Sequence, residues 1–262
     1  MSRRENLTDD QWALIKPLIP IVAVREDGKG RPRIHSDREV LNGILWILRT
    51  GASWIDLPGR FPSGSTCFRR FSSWSKNGLF RLILETLAQD LETRGGIDLS
   101  ECFIDGTFAV AKKGAQVFGK TKRGKGTKLM VITDANGLPL AVHTTSASPH
   151  EVTLVEATIN ETFTVGQPTR IIGDRAYDSD PLDEKLALKG IELIAPHKDN
   201  RVKPATQDGR QLRRYKRRWK IERFFAWLNK FKRVITRYDR AIEHYESFVH
   251  IAFIKIILRR YL

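Results

Sequence analysis

Arg213-Arg214-Tyr215-Lys216-Arg217-Arg218-Trp219-Lys220-Ile221-Glu222-Arg223-Phe224-Phe225-Ala226-Trp227-Leu228 contains no Gly or Pro and is rich in helix formers, so it reads as one helix. At about 100° per residue, Ile221, Phe224, Phe225 and Leu228 share one side, which is expected to face the core. Tyr215, Arg218, Trp219 and Glu222 fall on a neighbouring side, at i, i+3, i+4 and i+7. Glu222 is the only acid in this basic run. Taken alone, it makes an i,i+4 pair with Arg218 on a solvated helix. Two aspartates upstream, each inside or at the end of an apolar strand, give it a second reading.

Gly95-Gly96 marks a change of period. Before it the chain reads as helical: a helix capped by Thr8 or Asp9, one over Asp37 to Thr50 ending at Gly51, one capped around Ser63, and a fourth over Leu79 to Leu91. A Gly/Arg/Pro loop separates the first two at Gly28 to Arg33. The third helix turns Phe68, Phe71 and Trp74 inward and is expected to expose Arg69 and Arg70, as a helix-turn-helix would toward DNA. An ordinary helical bundle with a solvated basic face is the other reading.

After Gly96 the pattern is that of strands. Glu101 to Val110 is an apolar strand interrupted by Asp105. Leu129 to Thr133 and Leu138 to His143 flank Asp134-Ala135-Asn136-Gly137, whose Asn-Gly marks a hairpin. A helix follows over Glu151 to Ile159, then the short strand Arg170 to Asp174, a helix to Lys189, the strand Ile191 to Ala195, the basic helix, and an amphipathic helix from Glu243 to Leu262. Three antiparallel strands, then helix, strand, helix, strand, helix, is a ribonuclease-H-like α/β (α+β) layout, a mixed sheet with flanking helices. The expected division is a small all-helical region over 1–95 and the mixed-sheet domain over 96–262.

In that layout the first and fourth strands are neighbours, so Asp105 and Asp174 meet and the basic helix brings in Glu222. A carboxylate in an apolar strand is costly unless compensated, and several together repel. Bound Mg²⁺ or Mn²⁺ resolves both costs, and two such ions can drive phosphodiester displacement. Taken singly, Asp105 reads equally as a strand-end residue and Asp174 as a helix cap.

Phe103-Ile104-Asp105-Gly106-Thr107, Ile172-Gly173-Asp174-Arg175-Ala176-Tyr177-Asp178-Ser179 and Tyr215-x-x-Arg218-x-x-x-Glu222 resemble the DDE motifs of bacterial insertion-sequence transposases, most closely insertion sequence family five. The similarity extends through Trp54, Leu57-Pro58 and Phe68-Arg69-Arg70-Phe71. It implies that Asp105, Asp174 and Glu222 form a metal-binding catalytic triad for two Mg²⁺ or Mn²⁺ ions. It also implies that Tyr215 and Arg218 belong to the signature around the Glu. The implied activity is cleavage of double-stranded DNA at the terminal inverted repeats of a mobile element and transfer of the 3′-hydroxyl strands into target DNA. The protein would act as a dimer or higher homo-oligomer. One position departs from the family pattern: the basic residue seven after the Glu is Asn229, with Lys230 next to it.

Gly114-Ala115-Gln116-Val117-Phe118-Gly119-Lys120-Thr121 matches the P-loop pattern, but Gly124 and Gly126 and dense positive charge follow where a phosphate-binding helix would start. The segment reads instead as a flexible basic loop. With Lys112, Lys113, Lys120, Lys122, Arg123, Lys125 and the cations of the basic helix and of Lys232-Arg233, it is suited to the DNA backbone. No nucleotide cofactor is expected. A net charge of +15 points the same way. Cys67 and Cys102 have no metal-type spacing. His150 and His197 read as hydrogen-bonded loop residues. The start lacks a signal peptide's apolar stretch, and Phe253 to Leu258 is too short to span a bilayer; a soluble, cytoplasmic, nucleoid-associated protein is expected. A structure-selective nuclease and a DNA-binding regulator with a vestigial triad are the alternatives.

Overall fold

A computed structural model describes residues 6–21, 34–112, 115–121, 124–207 and 209–261. The fold is built on β1 (Cys102–Ala111), which carries Asp105. A helical layer precedes it: α1 (Asp9–Ile15), α2 (Asp37–Thr50), α3 (Gly64–Lys76) and α4 (Leu79–Thr93). The sequence caps each of the first three. Thr8 with Gln11 and Ser36 with Glu39 form capping boxes, and the Ser63 hydroxyl accepts from the Thr66 N–H. Gly51 ends α2 in the left-handed region at φ 71°. The loop expected at Gly28 to Arg33 lies outside the described residues.

The described sheet has seven strands in the order β2-β3-β1-β5-β6, with β4 beside β3 and β7 beside β1. Here β2 is Gly119–Thr121, β3 is Gly124–Thr133, β4 is Pro139–Ser146, β5 is Arg170–Ile172, β6 is Glu192–Ile194 and β7 is Thr236–Arg237. β1, β3 and β4 pair antiparallel, and β5 and β6 continue parallel to β1, so the sheet is mixed as expected. At the β3–β4 turn the Asp134 carboxylate accepts from the N–H groups of Asn136 and Leu138, while Gly137 takes φ 83°.

Two strands were not anticipated. The segment read as a basic loop folds into the β2–β3 hairpin, with Lys120 opposite Lys125 and Thr121 opposite Gly124. Gly119-Lys120-Thr121 is therefore extended, and no helix starts there to receive a phosphate. The two-residue β7 pairs with Val110 and Ala111. β5 holds the neighbouring position only at Cys102 and Phe103. Among the described residues, Ile104 to Ala109 pair with neither, which leaves a notch in that edge of β1.

Around the sheet come α5 (Val155–Ile159), entered through a 3₁₀ turn over Glu151–Leu154, α6 (Asp180–Leu188), α7 (Gly209–Leu212) and α8 (Trp219–Leu228). Arg213–Arg218, expected as part of one long α-helix, is a 3₁₀ segment joining α7 to α8. α9 (Lys232–Ile235) leads to β7, and α10 (Ile242–Tyr261) closes the fold. α10 was expected to be amphipathic, but Tyr245, Phe248, Val249, Ile251, Phe253, Ile256 and Leu258 are all buried, so it is apolar nearly all round. It packs against α2, α3, α4 and β4, and one apolar core runs from Leu7 to Leu258. No helix among the described residues is long and apolar enough to cross a membrane.

Candidate active site

α8 and the 3₁₀ segment before it are clamped across the sheet by their own cations. Arg214 and Arg217 both donate to the Glu101 carboxylate at the start of β1, the second at 2.5 Å. Lys220 donates to the Ala135 carbonyl, and Arg223 to the Asn136 carbonyl at 2.8 Å. Ile221 is fully buried against Phe103, Ile172 and Ile194, in a small apolar cluster that also takes in Tyr215. These contacts fix the turn from the 3₁₀ segment into α8 over the notch in β1.

Three carboxylates from three separate elements meet there, around one guanidinium. Arg218 Nη2 lies 2.5 Å from Asp105 Oδ2 and 4.0 Å from Asp174 Oδ2, and Nη1 lies 3.6 Å from Glu222 Oε1. Asp105 also accepts from the Gly106 N–H at 2.8 Å. Asp174 follows β5 and caps the 3₁₀ turn Arg175–Tyr177, accepting from the Ala176 N–H at 2.8 Å. It is therefore a cap, as one reading of the sequence had it, and it also lies beside Asp105 and Glu222. Glu222, 61% exposed, stands at the solvent side, whereas Asp105 is 17% exposed.

Burial pushes the Asp105 carboxyl up to about 6, against the pull of Arg218 and the Gly106 N–H and with the push of Glu151 and Asp174. Burial works against the charge of Arg218, but Asp105 and Asp174 outweigh it and hold the guanidinium pKa above its usual value. Its Nε is buried without a hydrogen-bond partner. The donor set is three hard carboxylate oxygens around an enclosed positive charge, which fits Mg²⁺ or Mn²⁺ in kind. Here the guanidinium spaces the acids, and among the described residues no three Asp, Glu, His or Cys side chains are close enough to enclose one ion.

The other expected site residues are dispersed. Arg69 is exposed on α3, but Arg70 is not: it pairs with Asp37 of α2 at 2.5 Å and stacks over Trp74. Lys112 lies over Tyr238 and Lys125 over Phe118, both exposed, near the far end of the β1–β3 ribbon. Lys230 is exposed just beyond α8. Lys113, Lys122, Arg123 and the side chain of Lys120 lie outside the described residues. Arg233, counted among the surface cations, is instead in a buried pair with Asp239. His197 donates through Nδ1 to Asp178, because its Nε2 accepts from the Thr206 N–H, as a hydrogen-bonded loop residue does.

Sequence reasoning missed Glu151 and Tyr177. Tyr177 is fully buried, and its hydroxyl donates to Glu151 Oε2 at 2.9 Å. The signal was in two glycines. A methyl on Gly173 would meet the Tyr177 ring at 2.6 Å, and one on Gly106 would meet Glu151 Oε1 at 2.6 Å.

Comparison with known proteins agrees with this architecture. Residues 7–84 match a family described as "Putative transposase of IS4/5 family", and residues 97–254 match "Transposase DDE domain". A Burkholderia cepacia protein named "Putative transposase for insertion sequence element IS402" is 34% identical over 139 residues, half of this chain and 60% of that protein. A Brucella ovis protein named "Putative transposase for insertion sequence element IS6501" is 31% identical over 135 residues, 51% of this chain and 98% of that one. Among solved structures, the piggyBac transposase synaptic complex with hairpin DNA superposes with a TM-score of 0.53 at 10% identity, covering 95% of this chain and 70% of that chain, which supports the ribonuclease-H-like fold. With the transposase DDE domain spanning 97–254 and the IS4/5 match ahead of it, the chain belongs to the DDE transposases of insertion sequences.

Proposed function

We propose that Asp105, Asp174 and Glu222 are the catalytic, metal-holding carboxylates of this transposase, and that it cuts DNA at the ends of its insertion sequence and joins the freed 3′-hydroxyls to target DNA. The observation that carries this reading is the convergence of acids from β1, the end of β5 and α8 on one guanidinium. Same-sign charges brought together from three elements need a cation, a need that Arg218 meets here and that a metal ion would also meet. One or two bound Mg²⁺ or Mn²⁺ ions supply Lewis acidity for in-line phosphodiester displacement. Asp105 is the buried, fixed member of the set. Asp174 is oriented by its cap bond, and Glu222 stands at the open side, where substrate enters.

The exposed cations Arg69, Lys112, Lys125 and Lys230 hold the DNA backbone, together with Lys113, Lys120, Lys122 and Arg123. Tyr215 and Arg218 orient DNA at the acids. The helical part, over 1–95, contributes to DNA contact and the part over 96–262 to catalysis. The structurally similar piggyBac transposase was solved as a synaptic complex with DNA, and two or more copies of this chain are expected to pair the two element ends.

The test is excision and integration in cells, followed by strand transfer with purified protein, comparing wild type with Asp174→Ala on the native flanking DNA. Loss of both cutting and joining in the variant, with unchanged binding to the ends, supports the reading. Cutting without joining by the wild type identifies a nuclease. Equal behaviour of the two proteins identifies a DNA-binding regulator.

A further inference from the structure

A fourth acid reaches the same notch from the other face of the sheet. Along β1, Phe103 and Asp105 face α8, and Gly106 faces the opposite way. Glu151, at the start of the helical turn after β4, lays its carboxylate directly on Gly106, since a methyl there would lie 2.6 Å from Oε1. Asp105 leans toward the same residue, because its Oδ1 accepts from the Gly106 N–H. Neither β5 nor β7 pairs with that part of the edge, so the two carboxylates flank a stretch of β1 that has no strand on that side.

Glu151 is held rather than loose. Tyr177 donates to Oε2 from the turn that Asp174 caps, and its ring closes over Gly173. Among the described residues its ion-pair partner is Lys128, whose Nζ is 3.7 Å from Oε1 and also donates to the Pro149 carbonyl at 2.6 Å. One hydroxyl and one distant ammonium leave acceptor capacity on Glu151. Four carboxylates thus stand against Arg218 and Lys128.

We propose that Glu151 is a fourth carboxylate of the cation site, a ligand for a divalent ion that enters the notch from the face opposite Glu222. The inference rests on the reading of Asp105, Asp174 and Glu222 as metal-holding residues. The simpler alternative is that Glu151 only receives the Tyr177 hydroxyl and ties the turn to the sheet.

Mn²⁺ binding to the full chain, counted by electron paramagnetic resonance and calorimetry without DNA, separates the two. Glu151→Gln is expected to lower the number of ions held or to weaken binding roughly tenfold or more. Glu151→Asp keeps the charge one methylene short, so it is expected to weaken binding less; it also serves as the readout if the Gln variant does not fold. Tyr177→Phe removes the hydroxyl but leaves the carboxylate, and is expected to bind nearly as wild type. Wild-type Mn²⁺ binding by both Glu151 variants, alongside its loss in Asp105→Asn, overturns this inference and leaves the triad reading standing. Wild-type binding by Asp105→Asn overturns both.

Discussion

The Arg218 guanidinium lies 2.5 Å from the Asp105 carboxylate, and each side chain is only 17% exposed. The pair is the electrostatic centre of the site, since Asp174 and Glu222 are grouped around the same guanidinium. Removing the guanidinium leaves Asp105 buried and uncompensated. Arg218→Gln is therefore expected to cost about 2 kcal/mol in urea unfolding without divalent ions. Millimolar Mg²⁺ should restore most of that loss, because a bound cation meets the same need. An unfolding midpoint that is indifferent to Mg²⁺ would count against a cation site at these acids.

Arg233 and Asp239 form a second, more deeply buried ion pair, at 2.9 Å and 7% and 5% exposed, with the Arg233 guanidinium over Tyr238 and Phe248. Breaking it strands a buried charge. Asp239→Ala should destabilise the fold by about 3 kcal/mol. Chemical denaturation measures this; a loss below about 1 kcal/mol would mean that solvent reaches the arginine.

Gly173 precedes Asp174 and lies under the Tyr177 ring. Gly173→Ala forces the ring or the strand to move, at about 1–3 kcal/mol. Because the same turn carries Asp174, strand transfer should fall by more than the stability loss explains. Thermal unfolding and activity measured on one preparation would show whether the two effects separate.

Glu246 on α10 has its carboxyl pushed up to about 7 from 4.5 by burial, then by Glu161 and Glu243. The folded state thus holds this proton to higher pH than the unfolded chain does. Its contribution favours folding at low pH and is lost as pH rises from about 4.5 to about 7. His143, raised chiefly by its hydrogen bond to Glu161, acts in the same direction. Glu246→Gln should flatten stability across that window and exceed wild type at pH 8 by about 1–2 kcal/mol, discounted for partial exposure. Urea midpoints at pH 5 and pH 8 decide it, and an unchanged slope would remove Glu246 as its source.

Lys112 and Lys125 are exposed at one end of the β1–β3 ribbon. If both meet phosphates, replacing both with Ala should make log K against log salt shallower by about 0.9 for each. Fluorescence anisotropy across a salt series measures the slope, and wild-type steepness would place DNA elsewhere.

The element order was legible because local signals agreed: the caps at Thr8, Ser36 and Ser63, the Asn-Gly turn, and the apolar runs of β1 and β5. The convergence of Asp105, Asp174 and Glu222 followed from topology and resemblance. What could not be read was pairing decided by distant residues. The glycine-rich basic tract became a strand because β3 supplied a partner. Arg70 and Arg233 looked like surface cations until Asp37 and Asp239 were brought to them. Glu151 lay in an unremarkable helix start, and only the space above Gly106 gives it away.

α10 follows β7 late in the sequence, yet α2, α3 and α4 all pack against it. During synthesis, the first ninety or so residues therefore emerge long before the surface that completes their core. The apolar faces of α2, α3 and α4 wait for that surface, so the helical layer is expected to assemble only after α10 has been made. Protease challenge of stalled ribosome-bound chains would test this, with residues 34–93 cleavable until Ile242–Tyr261 has cleared the exit tunnel. A chain cut short before α10 would then fail in its amino-terminal half, far from the break.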